Sequence, residues 1–346
     1  MDSCPRISLI GAPTDIGASV RGASMGPEAM RVAGLQAALE QRGLQVLDCG
    51  NLGGPANPDQ PAQGGYRHLA QVVDWNQRVH EAVLDELRQD RLPLLLGGDH
   101  CLAIGSISAV ARHCRARGRR LRVLWLDAHA DFNTRELTPS GNLHGMPVAC
   151  LCGLGPAELT RLGGGDAPAL QPQQLRQLGI RSVDPGEKRL VHEQGLEVYD
   201  MRYIDEHGMR HAMEQALLGV DADTHLHVSL DLDFLDPEIA PGVGTTVSGG
   251  VLQGNTSSLQ GNILNNAGSF LMGYATDING VRTGQTLQPL SVPTGAPIAA
   301  QQTGTITAEF NLDAAAPVAT STTSAPRPAA MRAEFMPTTP LQIRGL

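Results

Sequence analysis

Short apolar stretches alternate with longer segments of helical periodicity up to about residue 248. The short stretches predict β-strands, and the longer segments predict helices. A strand–helix–strand order at this spacing is typical of a parallel sheet covered on both faces. The sequence therefore predicts a three-layer α/β/α fold with a mostly parallel sheet. The predicted strands are 6–10, 44–48, 92–96, 121–127, 178–182, 196–200 and 225–231, and the predicted helices are 27–43, 67–90, 101–117, 170–177 and 204–219.

The composition of the chain changes within a few residues of Ser248. All eleven histidines, all six cysteines and the only lysine precede that point. The remainder is rich in Gly, Asn, Gln, Thr, Ser and Pro, and residues 314–330 have the composition of a linker or a disordered segment. We therefore predict an α/β domain over residues 1–248. Residues 249–346 are predicted to form an unrelated tail that is β-rich or partly disordered.

Acidic residues and histidines directly follow three of the predicted strands. Asp127, His129 and Asp131 are two residues apart, as are Asp231 and Asp233, so an extended chain places the members of each group on one face. Parallel sheets bind ligands beyond the carboxyl ends of their strands. Four carboxylates and two imidazoles could hold two divalent ions with a bridging water, and their donor atoms favour Mn²⁺ over Zn²⁺. The side chains are His100 after the strand at 92–96, Asp127, His129 and Asp131 after the apolar run 121–126, and Asp231 and Asp233 after the apolar run 226–230.

Each acidic residue or histidine near these strand ends has an ordinary structural interpretation when it is considered alone. Asp99 or Asp236 could cap a turn, and His129 could be a hydrogen-bonded core histidine. The complete set is harder to explain in that way, because burying unpaired charge costs several kcal/mol. The remaining histidines are interpreted as surface or packing residues, namely His113, His192, His207, His211, His225 and His227.

Charge and apolar content exclude several classes of partner. The net charge is −9 and Lys188 is the only lysine, which argues against nucleic acid. No apolar stretch approaches the roughly 20 residues of a membrane span, and the first residues lack the features of a secretion signal. The scattered cysteines suit a reducing compartment. We therefore expect a cytoplasmic protein without a membrane partner.

Several motifs in combination resemble the arginase branch of the ureohydrolases over about the first 248 residues. The resemblance implies Mn²⁺-dependent hydrolysis of L-arginine to L-ornithine and urea by a metal-bridging hydroxide. It also implies a homotrimer or homohexamer. The motifs are Gly97-Gly98-Asp99-His100, Asp127-Ala128-His129-Ala130-Asp131, Ser140-Gly141-Asn142-Leu143-His144-Gly145-Met146-Pro147 and Ser229-Leu230-Asp231-Leu232-Asp233-Phe234-Leu235-Asp236-Pro237.

The resemblance also implies a role for each residue of the site. His100, Asp127, His129, Asp131, Asp231 and Asp233 would hold two Mn²⁺ ions, bridged by Asp127 and Asp231, and His144 would shuttle protons. The substrate carboxylate would bind Asn133, Ser140 and Asn142, with Asp184 and Glu187 near the α-amino group. Alternatively, Ser140 could be a cap and Asn133 an Asx turn. The motif around Ser140 and Asn142 favours arginase over agmatinase-like relatives, because a decarboxylated substrate gives these two residues nothing to bind.

The likeness ends after Val247, where the family continues with a helix, a strand bearing a guanidinium-binding glutamate, and a final helix. None of these segments is recognisable here, and Ser248-Gly249-Gly250 stands in place of the expected Pro-Gly-Gly. Because that strand lies inside the family's sheet, its loss predicts a gap. Residues 255–320 instead resemble part of a flagellar hook protein. Two alternatives therefore remain open, namely an inactive ureohydrolase remnant in a fusion or rearranged frame, and a structural flagellar-type protein acting through its tail.

Overall fold

A computed structural model describes residues 6–250 and, beyond them, four short strands. The strands are β1 Arg6–Ala12, β2 Gln45–Asn51, β3 Leu92–Gly97, β4 Arg120–Leu126, β5 Leu175–Leu178, β6 Glu197–Tyr199, β7 Thr224–Leu230, β8 Ile263–Leu264, β9 Pro297–Ile298, β10 Thr305–Glu309 and β11 Val318–Thr322. The α-helices are α1 Gly26–Val32, α2 Leu35–Glu40, α3 Leu69–Arg88, α4 Ala103–Ala116, α5 Pro147–Leu151, α6 Ala157–Thr160, α7 Pro185–Glu193, α8 Met201–His207 and α9 Met209–Ala216. Short 3-10 helices cover Ala23–Met25, His100–Leu102, Leu143–Gly145, Pro172–Gln174 and Leu232–Phe234.

The first seven strands form two parallel sheets, with strand orders β2-β1-β3 and β6-β5-β4-β7. Helices α3 and α4 pack together, and their side chains share the largest buried apolar cluster with residues of β1 and β4. Trp75 and Ile104 on the helices meet Ile10 and Trp125 on the strands in this cluster. A second cluster lies between β4, β5 and the helices α8 and α9. Helices therefore cover a parallel α/β architecture, as the sequence predicts.

Two strand edges that belong to different sheets are unpaired within residues 6–250. Strand β3 pairs only with β1, and strand β7 pairs only with β4. Apolar side chains on these strands are exposed, with Val228 and Leu230 each at 53% and Leu92 and Leu94 at 39% and 36%. Within residues 6–250, the gap that the interrupted motif pattern predicts therefore corresponds to the unpaired edges of β3 and β7.

The predicted helix over 170–177 is wrong, and the strand predicted over 178–182 begins too late. Pro172 starts only one 3-10 turn, and β5 follows at once, paired with β4 and β6. Gln177 is fully buried in this strand and donates to the carbonyl of Ala130 at 2.6 Å. A buried glutamine whose amide nitrogen is bonded to a distant carbonyl gives the strand a polar, helix-like sequence. The strand ends before Gly179, whose φ of 84° breaks the extended chain.

Two predicted helices each form as two shorter ones. The segment 27–43 divides at Gly34, which has a φ of 83° and stands immediately before α2. The segment 204–219 divides at Gly208, which has a φ of 85° and separates α8 from α9. A positive φ cannot continue a right-handed helix, so apolar periodicity alone overestimates the length of these helices.

Beyond Gly250 the structure describes only two small antiparallel pairs, β8 with β9 and β10 with β11. Strand β11 falls within residues 314–330, where composition predicts a linker, and its Val and Thr residues favour a strand. The other tail predictions, including the hook-like segment over 255–320, lie largely outside the described residues. Among the helices described, none combines the length and the apolar content needed to cross a bilayer.

Candidate metal centre

The ends of β3, β4 and β7 bring the predicted ligands together. Asp99 caps the 3-10 helix after β3 by accepting from the Cys101 amide at 3.0 Å, which fixes the turn that carries His100. Asp231 caps the 3-10 helix after β7 in the same way, by accepting from the Asp233 amide at 3.0 Å. Asp127 follows β4 directly. Short capped turns at neighbouring strand ends thus direct all three groups to one place.

The first ligand group surrounds His100. Its Nδ1 atom lies 2.9 Å from an Asp127 oxygen, 3.3 Å from an Asp131 oxygen and 3.2 Å from an Asp231 oxygen. The Nδ1 atom is buried and forms a directional hydrogen bond to none of them. Its ring is fixed from two other sides, because Trp125 stacks on it with centroids 4.0 Å apart and Ser229 Oγ lies 2.9 Å from its Nε2.

The second ligand group lies around His129. Its Nδ1 atom is 3.0 Å from an Asp233 oxygen and 3.4 Å from the second oxygen of Asp127. Asp127 therefore belongs to both groups, with one oxygen directed toward each histidine. Its carboxylate is 1% exposed and also accepts from the indole of Trp125 at 3.0 Å.

Burial and mutual proximity shift the pKa values of these groups strongly. Burial lowers the pKa of His129, but the Asp127 and Asp233 carboxylates outweigh it and raise the value to about 11. Burial, and next the charge of Asp127, raises the pKa of Asp131 well above its usual range. Asp233 is also buried, yet the adjacent His129 holds the pKa of its carboxyl below the usual range. The carboxylates in this buried cluster therefore require compensating positive charge.

The residues fit divalent cations. Donor atoms bound to one ion at about 2.1 Å and at right angles to each other lie about 3 Å apart, which matches the spacings around His100 and His129. A buried Nδ1 that lies near three carboxylate oxygens yet forms a directional hydrogen bond to none of them fits a ligand position beside a cation. Asp131 adopts a φ of 49°, and backbone strain of this kind is common at functional sites.

The predicted site residues share one cavity of about 210 Å³. Every one of them lines it except Asp127, which lies beneath His100 and His129 and touches both. The cavity residues from the prediction are His100, His129, Asp131, Asn133, Ser140, Asn142, His144, Asp184, Glu187, Asp231 and Asp233. None of the six histidines interpreted as surface or packing residues lines this cavity.

The loop after Asp131 forms one wall of the cavity. His144 lies on this wall, and burial lowers the pKa of its imidazole. The Asn142 amide nitrogen is 3.4 Å from the His144 Nε2, and the Asn142 backbone amide donates to Ser140 Oγ at 3.2 Å. Short polar side chains thus stand beside a neutral histidine.

Asn133, Asp184 and Glu187 form a connected group at the start of α7. The Asn133 amide donates to Asp184 at 3.2 Å, and Glu187 accepts from the backbone amides of Phe132 at 2.7 Å and Asp184 at 3.2 Å. Burial raises the pKa of Glu187. Glu187 therefore fixes the two loops, and Asp184 is the exposed acid that remains available to a ligand.

Sequence analysis did not assign a site role to Trp125, Ser229 or Thr245. The Thr245 hydroxyl donates to Asp233 at 2.8 Å and lines the cavity. Ser229 precedes Asp231 by two residues on the same strand face, so the period of two could have revealed it. Thr245 lies in a loop twelve residues beyond its partner, where no periodicity operates.

Comparison with known proteins agrees with the geometry. The profile of the Arginase family matches residues 5–266. The chain belongs to the arginase family. It is 42% identical to the arginase of Bacillus caldovelox over 71% of this chain and 81% of that protein, and 39% identical to the arginase of Bacillus subtilis over 81% and 94%.

Solved structures place this arginase-family chain in the same fold. The native arginase structure from Bacillus caldovelox at pH 5.6 superimposes with a TM-score of 0.66 and 41% identity, covering 71% of this chain and 82% of that one. The 1.7 Å arginase structure from Bacillus subtilis gives a TM-score of 0.65 at 40% identity, covering 70% and 81%. The family match favours a hydrolase over a structural protein.

Proposed function

We propose that this chain hydrolyses the guanidinium group of L-arginine to L-ornithine and urea, using two Mn²⁺ ions. The observation that carries the proposal is the position of Asp127, which is shared between two ligand groups beneath a single polar cavity. The first ion would be held by His100 with Asp127, Asp131 and Asp231. The second would be held by His129 and Asp233 together with the shared Asp127 and Asp231.

A pair of divalent ions, when bound, makes water nucleophilic near neutral pH. The donor set contains only carboxylate oxygens and imidazole nitrogens, which favours Mn²⁺ over softer ions. Trp125 and Ser229 fix the ring of His100, and Thr245 fixes the carboxylate of Asp233. Such supporting contacts hold ligands in their binding geometry before the ion arrives.

His144 is the residue proposed to move protons. It lines the cavity with its Nε2 beside Asn142, and its lowered pKa keeps the imidazole neutral at pH 7. A neutral imidazole can take a proton and return it to the departing amine of ornithine. No other histidine among the described residues lines the cavity except the two proposed ligands His100 and His129.

The amino-acid end of the substrate would lie against the cavity wall formed by the loop after Asp131. Asn133, Ser140 and Asn142 offer amide and hydroxyl donors to a carboxylate, and Asp184 can accept from an α-ammonium group. The cavity is smaller than the roughly 300–1,000 Å³ of sites for drug-sized ligands, which suits a small substrate. The glutamates beyond Glu238 are Glu309, which ends β10, and Glu334, which lies outside the described residues.

Urea release from L-arginine tests the proposal. Full-length protein stripped with a chelator should release urea only after Mn²⁺ is added. Asp127→Asn should abolish release, whereas Asp85→Asn should not, because Asp85 is an exposed residue of α3 paired with Arg88. Urea release that survives in Asp127→Asn, or that is absent from soluble Mn²⁺-loaded wild-type protein, would contradict the proposed function.

The family resemblance further implies a trimer or hexamer and a cytoplasmic enzyme. Both remain predictions for this chain. Light scattering on the purified protein gives the mass of the assembly, and fractionation of the source cells gives the location. A monomer in solution would contradict the proposed assembly.

A further inference from the structure

Two loops meet at the edge of the cavity and are joined at two points. The His144 backbone amide donates to the Gly17 carbonyl at 3.2 Å, and the Ser19 hydroxyl donates to the side-chain oxygen of Asn142 at 2.8 Å. The Gly17 amide in turn donates to Asp99 at 2.7 Å, immediately before the proposed ligand His100. The loop that carries Ser19 is therefore anchored to the metal centre.

Gly17 allows this close approach. A β-carbon at this position would lie 2.7 Å from an Asp99 oxygen and 3.0 Å from the Cys101 side chain, so a larger residue would push the loop outward. Asp99 is buried and held by two backbone amides, those of Gly17 and Cys101. The distance between the Ser19 and Asn142 side chains is therefore set by a fixed backbone.

The Ser19 hydrogen bond decides which end of the Asn142 amide faces the cavity. With its oxygen engaged by Ser19, the amide presents its nitrogen toward His144 and the cavity. A rotated amide would turn its oxygen, an acceptor, toward the same space. An amide nitrogen attracts a substrate carboxylate, and an amide oxygen repels it. Asn142 is 8% exposed, so little of its side chain is open to water.

We propose that Ser19 is a positioning residue that makes the cavity selective for ligands bearing an α-carboxylate. Ser19 is exposed and does not line the cavity, so it acts only through Asn142. The inference rests on the proposed function insofar as the ligand is an amino acid, and it adds the residue that sets carboxylate selectivity. It differs from a purely structural role because only carboxylate-bearing ligands should sense it.

Two ligand pairs that differ by one carboxylate test this inference. L-ornithine is the proposed product, and putrescine is its analogue without the carboxylate. Hydrolysis consumes neither, so calorimetry on the Mn²⁺-loaded protein gives their affinities at equilibrium. L-arginine and agmatine give the corresponding kinetic comparison. Ser19→Ala should raise the Kd of L-ornithine about tenfold, the loss of one charge-assisted hydrogen bond, and leave putrescine within about twofold. The KM of L-arginine should rise by a similar factor while kcat stays within about twofold.

Two further variants separate positioning from general damage. Ser19→Thr keeps the hydroxyl and should restore the wild-type preference. Ser24→Ala removes a hydroxyl from the 3-10 helix that follows the same loop. That hydroxyl lies 3.5 Å from Asp15, and its removal should leave the preference unchanged. Circular dichroism and the thermal midpoint of each variant show whether the fold is intact.

The outcomes distinguish this inference from the proposed function. If L-ornithine is preferred in the wild type and the preference is lost in Ser19→Ala, the inference holds even when no urea is released, and only the proposed reaction fails. If both ligands weaken equally, or if Ser19→Ala keeps the preference, Ser19 does not set it. A wild-type protein that binds L-ornithine no better than putrescine would also overturn the inference.

Discussion

Asp127 is the residue on which the metal centre depends most. Its two oxygens face His100 and His129 at 2.9 and 3.4 Å, whereas Asp233 contacts only His129 of these two histidines. Removing a shared ligand should therefore affect both ions, and removing Asp233 should affect one. The two carboxylates are equally buried, at 1% exposure, so burial alone does not distinguish them.

We expect Asp127→Ala to abolish binding of both Mn²⁺ ions and Asp233→Ala to leave one. Calorimetric titration of the chelator-treated proteins gives the stoichiometry directly. Asp223→Ala, a change at an exposed turn, serves as the control and should bind two ions. Full stoichiometry in Asp127→Ala would refute the bridging role.

His144→Asn should lower kcat by about 10²–10⁴ with Mn²⁺ binding unchanged, because the variant keeps a polar side chain but cannot exchange protons. Burial lowers the pKa of His144, so the neutral form persists to a pH below the ordinary value of about 6.5. Activity that requires neutral His144 is then present above the lowered pKa and is lost as the pH falls through it. In the wild type, kcat/KM should fall on the acid side at a pH below 6.5. The residual activity of His144→Asn should not show this fall. An unchanged acid limb would assign that limb to another group.

Residues of the site were predictable where the chain is regular. Asp127, His129 and Asp131 follow a strand at a spacing of two, and chain direction alone places them beside His100 and Asp231. The residues that position the side chains of the site could not be predicted in this way. Ser19 meets Asn142 across 123 positions of sequence, and no local pattern encodes such a contact.

At the scale of elements, one arginine holds the segment after β7. The Arg181 guanidinium donates to the carbonyls of Asp233 at 2.5 Å, Phe234 at 3.3 Å and Val247 at 2.9 Å. Burial lowers the pKa of Arg181, yet these carbonyls leave the group well hydrogen-bonded. Arg181 thereby connects Asp233 to the loop that carries Thr245, its hydrogen-bond donor.

Arg181→Met should weaken Mn²⁺ binding about tenfold and accelerate amide exchange over residues 233–247. The reason is that several backbone carbonyls lose the guanidinium that donates to all of them. Arg181→Lys should recover little, since an ammonium cannot bridge them all. The matched control Arg202→Met removes an exposed arginine paired with Glu206 and should change stability by no more than about 0.5 kcal/mol. Exchange rates that match the wild type would show that the segment is held by other contacts.

Element boundaries show where sequence periodicity is insufficient. Strands β1, β3 and β7 were predictable because their apolar runs are short and stand between turns. Strand β5 was not, because Gln177 is buried by a hydrogen bond to Ala130 that sequence cannot show. Helices α8 and α9 were merged in the prediction because the positive φ of Gly208 leaves the apolar spacing nearly continuous.

At the scale of the whole molecule, the two sheets are joined by the buried cluster that they share with α3 and α4 and, at their strand ends, by the candidate site. His100 after β3 and Ser229 on β7 are 2.9 Å apart, while the lengths of β3 and β7 remain unpaired within residues 6–250. Within the described residues, the proposed metal centre therefore joins the ends of two strands whose edges are unpaired. Bound metal should consequently stabilise the relation between the two sheets as well as the site itself.

The gap leads to a prediction about the segment after Val247. We expect its replacement by the corresponding C-terminal segment of the Bacillus caldovelox relative, of which this chain covers 81%, to raise stability and urea release together. An added strand would pair the edges of β3 and β7 and cover Val228 and Leu230. Fully burying an exposed Val or Leu contributes about 1.5–3 kcal/mol, so burying the remaining exposed area of these side chains should raise the thermal midpoint by roughly 5–10 °C.

The same replacement separates folding from substrate contact. A second version, in which the glutamate that the family resemblance implies for the added strand is changed to Gln, should gain the stability and lose the increase in urea release. Thermal unfolding and urea assays on both versions, each loaded with Mn²⁺, give the comparison. If the first version folds better yet releases no more urea, the missing glutamate does not limit this chain. If neither version is more stable, the exposed edges of β3 and β7 do not weaken the fold, and the buried cluster shared by β1, β4, α3 and α4 is enough to hold the two sheets together.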